Sequence, residues 1–423
     1  MEERVTGAAR TRSDASTLVS LVAAAQPATG SVLHLSNSAL RAIRVHLGMD
    51  VAFISEFTST ERIFRYVDAG AGPSPVRVGD AGPLEESYCQ RVVDGRLPEL
   101  IPDAAALPAA AELPVTAELP VGAHLSVPIR LADGRVYGTL CCFSATADHS
   151  LNDRDVSMMR VFAEITAAQI DEDLERQRAQ HEAIARLDAF IAGDGLSTVY
   201  QPIVDVDSGD PVGFEALARF YHSPRRGPDA WFAEAWALGR GIELEVAAVR
   251  QALGALPHLP SDVYLAVNVS PAAAVSGLLD DALHDVPPHR IVLEITEHAA
   301  IDAYEQLNAA LGALRRSGVR IAVDDAGAGY SSFRHILRVR PDVIKLDMAL
   351  TRDIDRDRAR QSLASALIGF ARETGSDIVA EGVETAAELR TLRLLGVTAA
   401  QGYHLGRPGD LPVASAPGAL TRS

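Results

Sequence analysis

The chain has 423 residues, a formal net charge of -17 and a 48% hydrophobic composition. At roughly 100–200 residues per domain, that length predicts two or three domains, each with a sizeable core. The acidic balance excludes general affinity for nucleic acid, so DNA is not an expected partner, although a phosphate bridged by metal ions stays compatible with it.

Residues 1–16 read as a disordered tail of mixed charge. They contain no apolar signal region, and no run in the chain approaches the ~20 residues that span a bilayer, so a cytoplasmic protein without membrane insertion is expected. The cysteines, Cys89, Cys141 and Cys142, are too few for a disulfide framework and suit a reducing compartment.

A mixed α/β region follows. "DVAFISEF" (50–57) and "RIFRYVDA" (62–69) alternate as paired strands. "LSVPIRLADGRVYGTLCCFS" (125–144) is a hairpin whose Asp133-Gly134 pair suits a type I′ turn. The Ala- and Pro-rich segment 103–124 reads as a long loop with short helical turns. All three cysteines read as small apolar core residues, because free cysteine is commonly buried. No paired spacing supports a haem ligand at His124 or His149.

From Asn152 to about Ile191 the pattern is helical. Ile170, Leu174, Ile184 and Ile191 share a heptad seam that Gln177, His181 and Asp188 interrupt. The pattern fits a parallel coiled coil or a single solvated helix.

After about Gly193, eight strand-like segments alternate with helical ones: "STVYQPIVDV", "VGFEALARF", "DVYLAVNVS", "RIVLEITE", "RIAVDDAG", "DVIKLD", "DIVAEGVE" and "AAQGYHLG". About 220 residues in this order predict a mainly parallel (β/α)8, TIM-like barrel. Most strands end on a polar residue: Glu215, Asn268, Glu294, Asp324 with Asp325, Lys345, Glu381 and Gln401. In such a barrel those ends form one mouth, the usual place of an active site. Helix capping accounts for a single acid there, but not for Glu, Lys and Gln at one layer. Five carboxylates face two cations at most, Lys345 and Arg219. Divalent ions would resolve the imbalance, and hard-oxygen donors without His or Cys select Mg²⁺ or Mn²⁺. Neighbouring carboxylates at a strand end can address different ions, which fits a two-metal site for displacement at phosphorus.

Residues 193–412 resemble an EAL domain, a phosphodiesterase that linearises cyclic di-GMP to pGpG. The motifs are "YQPIV" (200–204), "GFEALAR" (213–219), "NVSP" (268–271), "LEITE" (293–297), "DDAGAGYSS" (324–332), "PDVIKLD" (341–347), "AEGVET" (380–385) and "QGYHLGRP" (401–408), in the family's order. The resemblance implies that Glu215, Asn268, Glu294, Asp324, Asp325 and Glu381 hold two Mg²⁺ or Mn²⁺ ions. It implies that Glu381 helps deprotonate the attacking water and that Lys345 orients this water or steadies phosphoryl charge. Arg219, Gln201, Leu217 and Gln401 would meet the substrate, and Glu297 would anchor the loop after Asp325.

Ala326 and Ala328 replace an aromatic and a Thr usual in that loop, and Leu405 replaces a common aromatic, while no ligand position is lost. The loop is tied to dimerisation and metal occupancy in the family, so weakened activity or altered regulation is one implied consequence. An active phosphodiesterase is the expectation; the rivals are a weak or inactive cyclic di-GMP receptor signalling through partner proteins, and a scaffold with a silent barrel.

Residues 17–172 resemble a GAF sensor, an α+β domain, on "LGMDVAFISEF", "YCQRVVDGRLPELIPDA" and "VPIRLADGRVYGTLCCFS". Its ligand is unknown. The helix 173–192 would link the two domains, a homodimer through linker and EAL domain is expected, and 413–423 reads as a tail. No GGDEF signature is visible, so synthesis of the dinucleotide is not expected.

Overall fold

The computed structural model describes residues 32–70, 74–296, 304–326 and 330–411; for 32–37, 325 and 330–333 only the backbone is described. The chain divides into two compact units between Gln180 and His181.

The first unit is built on a six-stranded antiparallel sheet: β1 (Val51–Phe57), β2 (Glu61–Ala69), β3 (Ala81–Pro83), β4 (Leu100–Ile101), β5 (Ala123–Arg130) and β6 (Val136–Ser144), in the order β3-β2-β1-β6-β5-β4. β1 pairs with β2, and β5 with β6, as the alternation predicts. Strands β1 and β6 are central, and each face of the sheet carries its own core. Leu40, Ile43, Leu140, Cys142, Met159 and Phe162 fill one. Phe53, Phe64, Cys89, Ile101, Cys141 and Phe143 fill the other. Segment 103–124 holds two short helices, Pro108–Ala111 and Pro114–Glu118, each opening on a proline whose missing N–H costs nothing there.

The β5–β6 turn departs from the expected type I′. That turn needs positive φ at both central residues. Here Gly134 is left-handed (φ 83°) and Asp133 is not. Gly134 N–H donates to the Leu131 carbonyl, and the Asp133 carboxylate accepts from Arg135 N–H. The side-chain bond stabilises a longer turn with one left-handed glycine.

Helix Asp153–Ile191 is continuous. The Asn152 side chain accepts from Arg154 N–H and Asp155 from Asn152 N–H, a reciprocal start. Ile170 and Leu174 pack into the first unit's core, and Leu187, Phe190 and Ile191 into a core of the second. Residues 175–182 are exposed on every face. Three of the four apolar seam residues are thus committed to cores within the chain.

The second unit is a closed barrel of β7 (Leu196–Asp205), β8 (Pro211–Phe220), β9 (Tyr264–Val269), β10 (Ile291–Ile295), β11 (Arg320–Ala326), β12 (Val343–Leu346), β13 (Asp377–Ala380) and β14 (Ala399–Ala400). The eight expected strands are all present. β7, however, runs antiparallel to both neighbours, β8 and β14. A parallel crossover needs a dozen or more residues, and β7 reaches β8 through a short turn. There Asp205 accepts from the N–H groups of Asp207 and Ser208, and Gly209 takes φ 77°.

Candidate active site

Side chains two apart on a strand share a face, and this periodicity builds the site. Ile203, Ala266, Val292, Ala322, Val343 and Val379 form a small buried cluster within the barrel, with Ala399 against it. Two residues beyond each apolar member stands a polar one: Asn268 after Ala266, Glu294 after Val292, Asp324 after Ala322, Lys345 after Val343, Glu381 after Val379 and Gln401 after Ala399. On the reversed strand β7 the same step runs backwards and places Gln201 before Ile203. Gln201 pairs with Glu215 across the ladder. On β8 the preceding same-face position is Gly213, where a Cβ would meet the Tyr264 ring at 2.5 Å. Glu215 lies mid-strand rather than at its end, since β8 continues to Phe220. The antiparallel partner β7 extends the pairing to Leu196–Phe220.

Lys345 is the hub. Its Nζ lies 2.7 Å from Glu294 Oε2 and 2.6 Å from Glu381 Oε1. It lies 3.7 Å from both Glu215 Oε2 and Asp324 Oδ1. Lys345 and Glu294 are each 1% exposed. Asn268 Nδ2 donates to Glu215 Oε1 (3.0 Å), and Gln401 Nε2 donates to Glu215 Oε2 (2.6 Å) and Gln201 Oε1 (3.0 Å). Gln201 Nε2 in turn donates to the Gly406 carbonyl (3.0 Å).

One ammonium does not balance these acids. Burial pushes the Glu294 carboxyl well up; Lys345 opposes this and Glu215, Asp324 and Glu381 add to it. Burial also raises Glu381, against the pull of Lys345 and with the push of Asp324 and Glu215, to about 8. Burial acts to lower Lys345, but the surrounding carboxylates overcome it and raise it well above the usual lysine range. Among the described residues no three His, Cys, Asp or Glu side chains surround one metal-sized point, and the Lys345 ammonium sits between Glu294 and Glu381. The donor chemistry nonetheless fits a hard divalent cation: carboxylates, the amide of Asn268, and a buried Gln401 Oε1 that has no hydrogen-bond partner.

Of the residues expected in the site, Glu215, Asn268, Glu294, Asp324, Lys345, Glu381, Gln201 and Gln401 come together. Leu217 and Arg219 follow Glu215 on the same face of β8, and the Arg219 guanidinium donates to the Ala218 carbonyl (2.8 Å) rather than to an acid of the cluster. The Asp325 side chain, Glu297 and Ala328 lie outside the described residues. Ala326 is fully buried in the larger barrel core.

Two supporting groups went unread in the sequence. Glu245, on helix Gly241–Leu253, accepts from Ser270 N–H (2.9 Å) and Trp236 Nε1 (3.0 Å), which pins the backbone two residues beyond Asn268. Burial raises its carboxyl, partly offset by the Ser270 bonds. The Thr351 hydroxyl donates to the Glu381 carbonyl. Neither has a sequence signal, since each acts on a segment distant along the chain.

Fold and site together define a closed β/α barrel whose strands carry a buried acidic mouth centred on a lysine. The chain belongs to the EAL domain family: residues 184–408, more than half of it, match that domain, and residues 31–171 match a GAF domain. It is 35% identical over 279 residues to an uncharacterized protein of Azorhizobium caulinodans, a match covering 59% of this chain and 36% of that protein. It is 33% identical over 250 residues to the Pseudomonas aeruginosa cyclic di-GMP phosphodiesterase PA2567, covering 56% and 42%. The chain thus spans well under half the length of these curated relatives. The solved EAL enzyme Bd1971, in a cAMP- and cyclic-di-GMP-bound form, aligns over 86% of this chain and 91% of its own, with TM-score 0.51 and 18% identity, a likeness of fold.

Proposed function

We propose that the barrel hydrolyses cyclic di-GMP to linear pGpG, with Glu215, Asn268, Glu294, Asp324, Asp325 and Glu381 holding two Mg²⁺ or Mn²⁺ ions. The observation that carries this reading is the convergence of four carboxylates, two amides and Lys345 at one mouth of the barrel. Bound divalent ions would supply an acidified water and charge neutralisation at phosphorus. The reaction forms one P–O bond to water and breaks one P–O3′ bond; one water proton ends on the departing 3′ oxygen, and the other stays on the new terminal phosphate or passes to solvent. Glu381, whose carboxylate lies 2.6 Å from the Lys345 ammonium at the mouth, serves as the general base that takes a proton from the attacking water. Lys345 remains an ammonium and donates to the charged phosphoryl oxygens. Arg219 binds a substrate phosphate, and Gln201, Leu217 and Gln401 complete the substrate surface.

The GAF-matching unit is the regulator in this reading, working in a cytoplasmic homodimer. Its support is the end of helix Asp153–Ile191, where the Phe190 ring packs on Phe220 with centroids 4.8 Å apart. Phe220 ends the strand that carries Glu215 and Arg219. A shift of the helix would therefore reach the catalytic strand.

The test is turnover of cyclic di-GMP by the purified chain with Mg²⁺, with Mn²⁺ and with EDTA, read by product mass. Metal-dependent pGpG formation is expected. Binding without turnover in every metal condition would replace the enzyme with a nucleotide receptor.

A further inference from the structure

The second core of the first unit contains a thiol pair that the proposed chemistry does not use. Cys89 lies in the first turn of helix Tyr88–Val93 and Cys141 on β6. Their Sγ atoms are 3.7 Å apart, both are free thiols, and they are 1% and 0% exposed. A core that needs only volume would leave sulfur among hydrocarbon. This pair instead sits in a polar seam of the sheet. Cys141 Sγ lies 3.0 Å from both Ser126 Oγ and Thr139 Oγ1, and Thr139 Oγ1 lies 2.8 Å from Ser55 Oγ. Cys142, the next residue, points into the opposite, apolar core and gives the internal contrast.

We propose that Cys89 and Cys141 form a dithiol oxidation site that a small hydroperoxide converts to an intramolecular disulfide. In the first step the Cys89 thiolate attacks the peroxide, giving a sulfenic acid and hydroxide. In the second, Cys141 sulfur displaces the sulfenic oxygen, which leaves as water with the Cys141 proton. Two thiols and one hydrogen peroxide thus become one disulfide and two waters.

The surroundings divide the roles. Burial acts to raise the Cys89 thiol, but the Cys141 hydrogen bond, the Arg62 guanidinium, and the Thr139 and Ser55 hydroxyls outweigh it and lower it to about 6. Burial, followed by the bond and charge of Cys89, holds Cys141 well above the usual thiol range. With Cys141 Sγ already engaged by the Ser126 and Thr139 hydroxyls at 3.0 Å each, Cys89 is assigned as the nucleophile and Cys141 as the resolving thiol. Bond formation needs the sulfurs to close from 3.7 Å to about 2 Å. Because both sulfurs are buried, oxidant entry requires local opening of the six-residue helix.

The test exposes the reduced full chain to hydrogen peroxide, quenches, alkylates under denaturing conditions and maps peptides by mass. The expected result is a Cys89–Cys141 linked peptide, an alkylated Cys142, and loss of two of the three free thiols, reversed by dithiothreitol. Cys142→Ser should form the same link. Cys141→Ser, checked by its melting curve for folding, should instead leave Cys89 as a sulfenic acid that dimedone traps. Links through Cys142, links between chains, or three alkylatable thiols after prolonged exposure would overturn the proposal. None of these outcomes depends on cyclic di-GMP turnover.

Discussion

Lys345→Met tests the barrel mouth most directly. The substitution keeps the stem and removes the charge that Glu215, Glu294, Asp324 and Glu381 share within 3.7 Å. At an effective dielectric near 20, each of the two closest contacts has a gross attraction of several kcal/mol, offset by the cost of burying both charges. Removing one partner of a buried ion pair costs about 3–5 kcal/mol, because the remaining charge is stranded. Proton uptake by Glu294, already pushed up by burial, limits the loss to the lower part of that range. At about 2–4 °C per kcal/mol for a unit of this size, melting in EDTA should fall by roughly 6–15 °C. Mn²⁺ should restore much of it by returning positive charge to the carboxylates. Turnover should fall by about 10²–10³ with metal present, the usual cost of losing a charged donor to the developing charge. Calorimetry in EDTA and in Mn²⁺, with a nucleotide turnover assay alongside, reads both effects. An unchanged melting temperature together with near-native turnover would refute the hub role of Lys345.

Asp324→Asn should cut turnover by at least ~10²-fold while melting in EDTA stays close to wild type, since it removes a ligand charge without volume change; equal activity would sink the two-metal assignment. Gly213→Ala should destabilise the barrel by about 1–3 kcal/mol in urea melts, because its Cβ would meet Tyr264 at 2.5 Å, and its cost should shrink when measured in a Tyr264→Ala background. His124 is buried with its Nδ1 unpartnered, and burial, then the Arg62 charge, lower its imidazole to about 3. The unfolded chain therefore takes up a proton near pH 6.5 that the folded chain refuses, so stability is full above that pH and falls by about 1.4 kcal/mol per unit as pH drops towards 3. His124→Phe should keep the stacking on Tyr88 and flatten that fall in unfolding curves of the full chain; an unchanged slope would assign the pH dependence to other groups.

The sequence by itself determined the four long strands of the first unit, the eight strands of the barrel and most of the barrel mouth, whereas β3 and β4, three and two residues long, are too short to show alternation. Period-two alternation is local, and Asn268, Glu294, Asp324, Lys345, Glu381 and Gln401 each follow an inward-facing apolar strand residue by one such step. Tertiary structure decided what depends on distant segments. The reversal of β7 brings Gln201 opposite Glu215, which strand propensity cannot indicate because both directions have the same alternation. The turn at Gly134 follows from an Asp133 side-chain bond rather than from the residue pair alone. Lys345 became the centre of the acidic cluster because four strands converge on its Nζ, whereas the sequence shows one lysine among seven polar strand ends. Cys89 and Cys141 are 52 residues apart and meet only because a short helix packs on the central strand of its sheet. Burial was legible for each cysteine, but pairing is a distance, and a distance between remote residues exists only once the chain has folded.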